Sequence, residues 1–199
     1  MAKGEQTRER MIGEALRLGT IHGFGSISLA DIADAVALSK SAVFKHFGAK
    51  DTLQLAVLER LVAVFTEKVW APARNLPRGK PRLDRILDGW LAWVDGDGND
   101  GGCGLIQAQI EFDDQPGVLR SLLKRKQLQW NATLAGEFRS VLGGRGRRTE
   151  AELAAFEFRC IVLGYNQSRR LLDDPSARTY AMRAYGHLMA RIEQVAMIR

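Results

Sequence analysis

Three lysines, a histidine and three serines are gathered in the 23 residues from Ser28 to Lys50, the run SLADIADAVALSKSAVFKHFGAK. Lys40, Lys45, His46 and Lys50 carry the donors and charge that meet phosphates. Lys40 and Ser41 have the reach for base edges, lysine to the guanine acceptors and serine to either kind of partner. Small side chains at Ser39, Ser41 and Ala42 let a helix backbone approach the floor of a groove about 12 Å wide. Ser28 and Ser39 are of the type that caps a helix N-terminus, where free N–H groups face an anion. This is the chemistry of a polyanion reader. A helical hairpin with a solvated face explains the same residues, and from the residues alone both readings stand.

Such a reader needs two short helices held at a fixed angle. Leu29, Ile32, Ala33 and Val36 give the inner face of the first, capped by Ser28. Residues 35–38 make a tight apolar turn. Ser39 caps the second, with Val43, Phe44 and Phe47 expected to face inward. Upstream, residues 1–6 read as a loose tail. A supporting helix follows from Thr7 to His22, with Met11, Ile12, Ala15, Leu16 and Leu18 on one side and Gly23 in a left-handed C-terminal position. Phe24 and Ile27 then tuck beneath it. Three short helices hold only a small core, so they must lean on the next helix, expected from Lys50 to about Ala73 and closed by Pro72 and Pro77. Apolar periodicity places further helices at 83–94, 105–112, 118–142, 149–172 and from Ser176 onward. The sum is nine helices and no strand, an all-α chain.

Composition agrees with a globular protein: 199 residues, 46% apolar and 26% charged. The net charge of +6 permits a polyanionic partner. Residues 1–55 hardly share in it. Lys3, Arg8, Arg10, Arg17, Lys40, Lys45 and Lys50 face Glu5, Glu9, Glu14, Asp31, Asp34 and Asp51, seven against six, a net of +1. A DNA reader with so little excess must sort its cations onto one edge. Cys103 and Cys160, far apart and without a C-x-x-C pattern, suggest reduced thiols. There is no apolar leader and no apolar run of about 18 residues. Together these predict a cytoplasmic protein with no membrane partner.

From Thr7 to about Leu58 the sequence resembles the N-terminal domain of the tetracycline-repressor (TetR) family of bacterial transcriptional regulators. The residues that carry the likeness are Thr7-Arg8-Glu9-Arg10, Gly23-Phe24, Ser28-Leu29, Ile32-Ala33, Ser39-Lys40, Phe44-Lys45-His46-Phe47, Lys50 and Leu53. The resemblance implies a helix-turn-helix domain over residues 1–50 and a helical ligand-binding and dimerisation domain over 51–199. It implies a homodimer that represses from a palindromic double-stranded DNA operator and is released by a small apolar or aromatic effector, with no cofactor. DNA contact is carried over to Ser28, Ser39, Lys40, Ser41, Phe44, Lys45, His46 and Lys50. Four positions depart from the family pattern, with consequences for grip or for the first helix. Ala37 stands at a turn position usually held by glycine, Ala42 and Phe44 stand where hydroxyls are common, and Gly19 replaces a usual core phenylalanine.

In the body, Phe65, Trp90, Trp93, Gln107, Ile110, Glu111, Gln127, Trp130, Phe158 and Asn166 are the apolar and polar types that line an effector pocket between helices. Glu111, inside an apolar helix, is the most suggestive polar anchor; near Arg120 or Lys124 it would instead be a helix-end carboxylate. Gly102-Cys103, Glu111-Phe112 and Pro116-Gly117 resemble the C-terminal domain of one TetR subgroup. The last two helices present Phe158, Ile161, Val162, Tyr165, Tyr185, Leu188, Met189 and Ile192. With no further chain to cover them, these are expected to form the dimer interface.

Other motifs carry less. Gly96-x-Gly98-x-x-Gly101 has the spacing of a dinucleotide fingerprint but follows a helix rather than a strand. Asp95, Asp97 and Asn99 begin like a calcium loop, whose sixth and twelfth positions are then wrong. Arg145, Arg147 and Arg148 are a second candidate nucleic-acid patch or, more simply, a solvated loop. His22, His46 and His187 are scattered, and no metal-ligand or catalytic spacing occurs, so no enzyme is expected. The alternative to a ligand-responsive repressor is a ligand-independent activator or architectural DNA binder.

Overall fold

The structure, a computed structural model, describes residues 3–96, 101–144 and 147–197. Its elements are α1 (Lys3–His22), α2 (Leu29–Ala35), α3 (Lys40–Phe47), α4 (Lys50–Phe65), a π-helical turn (Thr66–Trp70), α5 (Ala71–Arg74), α6 (Lys80–Val94), α7 (Gly104–Phe112), α8 (Val118–Val141), α9 (Arg148–Arg170) and α10 (Ala177–Met197). Residues 50–74 run on without a break, and counted as one they bring the described residues to nine helices and no strand. The chain forms two compact units, Met1–Val64 with Gly98–Arg125 and Phe65–Asp97 with Lys126–Arg199. The division falls within α4 and within α8, and Lys50 is the first residue of α4.

In the first unit, α1 begins at Lys3 rather than Thr7. The expected tail is therefore helical from that point. Glu5, Gln6, Arg8, Glu9 and Arg10 are good helix formers, and Glu5 in the first turn complements the helix dipole. Met11, Ile12 and Ala15 are buried, and Gly23 ends the helix at φ 91°. Gly19 is no gap in the core. A Cβ there would lie 2.5 Å from the Phe24 ring, so Phe24 fills from the following loop the space that a side chain at 19 would take.

The helix that starts at Lys50 meets Pro72 without stopping. Pro72 has no N–H for the carbonyl four residues back. The backbone widens one turn earlier, and Ala71 N–H bonds to Thr66 O across five residues. Gly89 of α6 then approaches that turn closely; a Cβ at 89 would sit 3.5 Å from Lys68 O and Val69 Cα.

The second unit is closed by a buried carboxylate that the periodicity argument passed over. Glu137 is 2% exposed. Its oxygens accept from Gly79 N at 2.8 Å and from Arg82 Nη1 at 3.1 Å, with Arg78 Nε at 3.4 Å. The basic, proline-rich connection is thereby fastened to α8. The sequence did contain a sign of it: Glu137 sits between Leu134, Phe138 and Val141, on the apolar stripe where a carboxylate needs a partner.

Candidate nucleic-acid interface and aromatic cluster

Ser28 caps α2 in a reciprocal box. Its hydroxyl oxygen accepts from Asp31 N at 3.2 Å, and its own N–H donates to Asp31 Oδ2 at 2.8 Å. The Ser28 hydroxyl and N–H hold the Asp31 carboxyl below its ordinary 3.8. Ser39 caps α3, accepting from Ala42 N at 3.2 Å, and its hydroxyl lies 3.0 Å from that of Ser41.

Between the two helices the backbone of Ala37 turns through φ 53°, the left-handed region that favours glycine. Val36 and Leu38 lie either side of this turn, with Val36 buried. From α1, Arg10 Nη2 donates to Val36 O at 2.9 Å, and the Arg8 guanidinium lies 5.4 Å from the centre of the Phe47 ring.

On α3, Val43 and Phe47 are buried one turn apart. Phe44, expected to face inward with them, is 59% exposed. One residue step rotates a side chain by about 100° around a helix, which carries position 44 off the face shared by 43 and 47. Lys40, Ser41, Phe44 and Lys45 are all exposed and form one continuous outward stripe. His46 is part-buried. The stripe thus offers two ammonium groups, a hydroxyl and an aromatic ring to whatever α3 meets. Lys50 stands apart: its Nζ donates to Gly25 O at 2.5 Å.

In the second unit five of the expected pocket residues come together: Phe65, Trp90, Trp93, Trp130 and Phe158. The Phe65 ring is the hub, edge-on to Trp90 at 5.3 Å, Trp93 at 6.0 Å and Trp130 at 5.5 Å between centroids. Trp70 joins at 6.2 Å from Trp130, a member that the sequence reading missed because it lies in the π-helical turn. The indole N–H groups of Trp90, Trp93 and Trp130 are buried with no acceptor among the described residues. Gln127 donates to Asn131 within α8 at 2.7 Å, and Asn166 is part-buried on α9. Gln107, Ile110 and Glu111 belong to the first unit. There the Gln107 Oε1 atom is buried and Ile110 is 67% exposed. Arg120 donates to Asp113 O at 2.5 Å. The Glu111 carboxylate accepts from Phe24 N at 2.7 Å and Gly25 N at 2.5 Å.

Seven of the eight residues expected at a dimer interface are turned into the chain's own core. Phe158, Val162, Tyr165, Tyr185, Leu188, Met189 and Ile192 are each 5% exposed or less. The two stripes looked unpartnered in sequence, but α9 and α10 pack on one another and α9 on α6, so they cover each other. Tyr165 and Tyr185 also donate to Asp95 and Asp84, each at 2.7 Å. Burial, then the bond to Asp95, raises Tyr165 to about 12, and burial with Asp84 raises Tyr185 as well. What α9 and α10 leave outside is different. Leu153, Phe156 and Leu163 are exposed on α9, and Tyr180 on α10. A groove of about 420 Å³ runs between Glu157, Ile161, Ala184, His187, Leu188 and Arg191.

The remaining motifs are absorbed elsewhere. Asp95, with Tyr165 and Arg169, is part of the second unit's own network. Asp97, Gly98 and Asn99 lie outside the described residues, as does Arg145. Arg147 donates to Val195 O and Arg148 pairs with Glu152, so neither stands as a bare basic patch. Cys103 is buried and Cys160 exposed. Among the described residues there is no cluster of metal-ligand type, and no helix is long and apolar enough to cross a membrane.

Residues 12–57 match the model for bacterial regulatory proteins of the tetR family, and residues 79–185 match that for the tetracyclin repressor-like C-terminal domain. The HTH-type transcriptional regulator TcmR of Streptomyces glaucescens is 29% identical over 133 residues, 63% of this chain and 56% of that relative. The chain thus matches little more than half of that relative's length. A TetR transcriptional regulator from Chloroflexus aurantiacus J-10-FL has the same fold, with a TM-score of 0.83 at 24% identity over 98% of each chain. AibR, solved with isovaleryl coenzyme A and operator DNA, gives 0.68 at 20% identity over 81% of this chain and 86% of its own.

Proposed function

The chain belongs to the tetR family of bacterial regulatory proteins, and from that premise we propose that it is a ligand-responsive repressor of transcription. The family is one of regulators rather than enzymes. Residues 1–50 are the reading head and 51–199 the effector and dimerisation body, in a cytoplasmic protein. Two heads of a homodimer dock in major grooves about one helical turn apart, or a multiple of it, on a palindromic operator.

The observation that carries this reading is the outward stripe of α3. Lys40 and Lys45 meet phosphates, Ser39 and Ser41 stand at the helix start where recognition helices touch base edges, and the exposed Phe44 ring suits a thymine methyl or a sugar. Phe44 has no hydroxyl for a phosphate, so the charge term rests on few groups. The aromatic cluster around Phe65 is the effector site of this reading. The cluster is apolar with three buried indole donors, which suits a neutral aromatic or apolar molecule bearing hydrogen-bond acceptors. The outer face of α9 and α10, with Leu153, Phe156 and Leu163, is the surface for the second copy.

Binding of the wild-type protein to a duplex selected from a random-sequence pool tests the reading. Each phosphate contact contributes about 0.9 to the slope of log affinity against log salt. In the homodimer Lys40→Ala with Lys45→Ala removes four such contacts, so it is expected to weaken binding and make that slope shallower by about 3.6. Undiminished affinity and an unchanged slope would sink it.

A further inference from the structure

The α2–α3 hairpin enters through residues 24–25 and leaves through the first turn of α4. These two strands of chain are stitched together. Lys50 Nζ donates to Gly25 O at 2.5 Å, and Gln54 Nε2 donates to Phe24 O at 2.9 Å. On the other side, the successive N–H groups of Phe24 and Gly25 form a small anion nest that the Glu111 carboxylate of α7 occupies, at 2.7 and 2.5 Å. Four backbone groups of two residues are thus held by three side chains. Gln54 is 6% exposed, the Glu111 bonds are part-buried and the Lys50 bond is exposed, so the joint runs from the surface inward.

Gly25 shows how closely the joint is fitted. It is not among the positive-φ residues, so no turn demands a glycine there. A Cβ at 25 would fall 2.4 Å from Glu111 Oε1. The glycine is needed for the carboxylate's approach.

We infer that Glu111, with Lys50 and Gln54, is a positioning residue for DNA reading: it fixes both ends of the α2–α3 hairpin against α7 and touches no nucleic acid itself. Lys50 then acts through Gly25 O instead of through a phosphate. This rests on the DNA-reading function proposed above. Loss of the clasp lets the hairpin wander, and the apparent dissociation constant rises by the inverse of the fraction still correctly placed. A dimer whose two heads are both correctly placed one-tenth of the time binds about 10-fold more weakly. Because the bound state keeps every phosphate contact, its salt slope does not change.

The experiment measures affinity for the pool-selected duplex, well below the melting temperature, for full-length wild type, Glu111→Ala, Gly25→Ala, the double variant and Lys50→Ala. Glu111→Ala is expected to bind about 10-fold more weakly with the wild-type salt slope. Gly25→Ala should weaken binding in the wild-type background and do little once Glu111 is alanine, since the carboxylate oxygen that its Cβ would clash with, and the next two nearest atoms, are gone. Lys50→Ala should lower affinity without altering the slope; a slope shallower by about 2, one contact from each head of the dimer, would make Lys50 a phosphate contact and overturn its place here. Should Glu111→Ala not fold, Glu111→Gln takes its place, keeping one accepting oxygen and losing the second. Wild-type affinity in the Glu111 variant, or strictly additive effects of Glu111 and Gly25, would refute the inference while leaving DNA reading intact. Failure of the wild type to enrich any duplex would remove the DNA-reading function, and this inference with it.

Discussion

Ala37→Gly is expected to stabilise the protein. Ala37 sits at φ 53° between α2 and α3, where a Cβ crowds the neighbouring carbonyl. That conformation costs a non-glycine residue about 1–2 kcal/mol. The side chain is exposed, so removing its methyl forfeits no buried area. The backbone bonds around it, Ala37 N to Asp34 O at 3.2 Å and Leu38 N to Ala33 O at 2.9 Å, do not involve the Cβ. Against the gain stands the freedom that glycine gives the unfolded chain, about 0.4–1 kcal/mol. The net runs from about 0 to 1.6 kcal/mol in favour of glycine and is about 0.8 kcal/mol at the middle of both ranges. For a chain of this length that raises the melting temperature by roughly 1–4 °C, which thermal denaturation by circular dichroism resolves. Asp173, at φ 50°, is the internal control, because aspartate enters the left-handed region more easily than alanine. Asp173→Gly should therefore gain less than Ala37→Gly, and Ala37→Val should lose more than either gains. A lower melting temperature for Ala37→Gly, or an equal gain at 173, would refute strain at the turn.

Two further perturbations act on the second unit. Glu137→Ala leaves Arg82 and the Gly79 N–H facing a buried void, and chemical denaturation should report a loss of about 3 kcal/mol; a change under about 0.5 kcal/mol would show that water satisfies those groups. Tyr165 gives a dependence on alkaline pH. Its pKa in the folded chain is raised from 10.0 to about 12, so the stabilisation that it contributes is complete below pH 10 and is lost as pH climbs toward 12. Tyr165→Phe should be less stable at neutral pH by about 1 kcal/mol through the lost bond to Asp95 and should lose less across the alkaline window. Parallel melting curves of the two proteins between those pH values would count against the assignment.

The reading head was legible because its logic is local. Serine caps, alternating buried positions and a short turn are written within a few residues of where they act, so Ser28, Ser39, Val43 and Phe47 fall where helix periodicity puts them. Phe44 did not, because hydrophobicity suggested an inward ring while the 100° step put it outside. The aromatic cluster was legible as a composition and not as a geometry: Phe65, Trp90, Trp93, Trp130 and Phe158 do meet, whereas Trp70 was hidden by the π-helical turn that Pro72 imposes. Long-range polar joints were the least visible. Glu137 and Glu111 look alike in sequence, each a carboxylate in an apolar stretch. One binds two arginines and a backbone N–H, the other two backbone N–H groups more than eighty residues upstream.

The stretch from Gly19 to Gly25 shows why such joints escape a reading by residue type. Its three glycines have three unrelated causes. Gly23 is there for its backbone, at φ 91°, ending α1. Gly19 is there because the Phe24 ring lies 2.5 Å from where its Cβ would be. Gly25 is there because a carboxylate from α7 needs the same space. The first two causes are local, since Phe24 is five residues from Gly19. The third is the absence of an atom at a point where something distant arrives, and what arrives can be identified only when both are in place. A glycine that no turn requires is therefore the residue to question first in this chain, since at both Gly19 and Gly25 it marks the seat of a side chain, and at Gly25 that side chain holds the reading head.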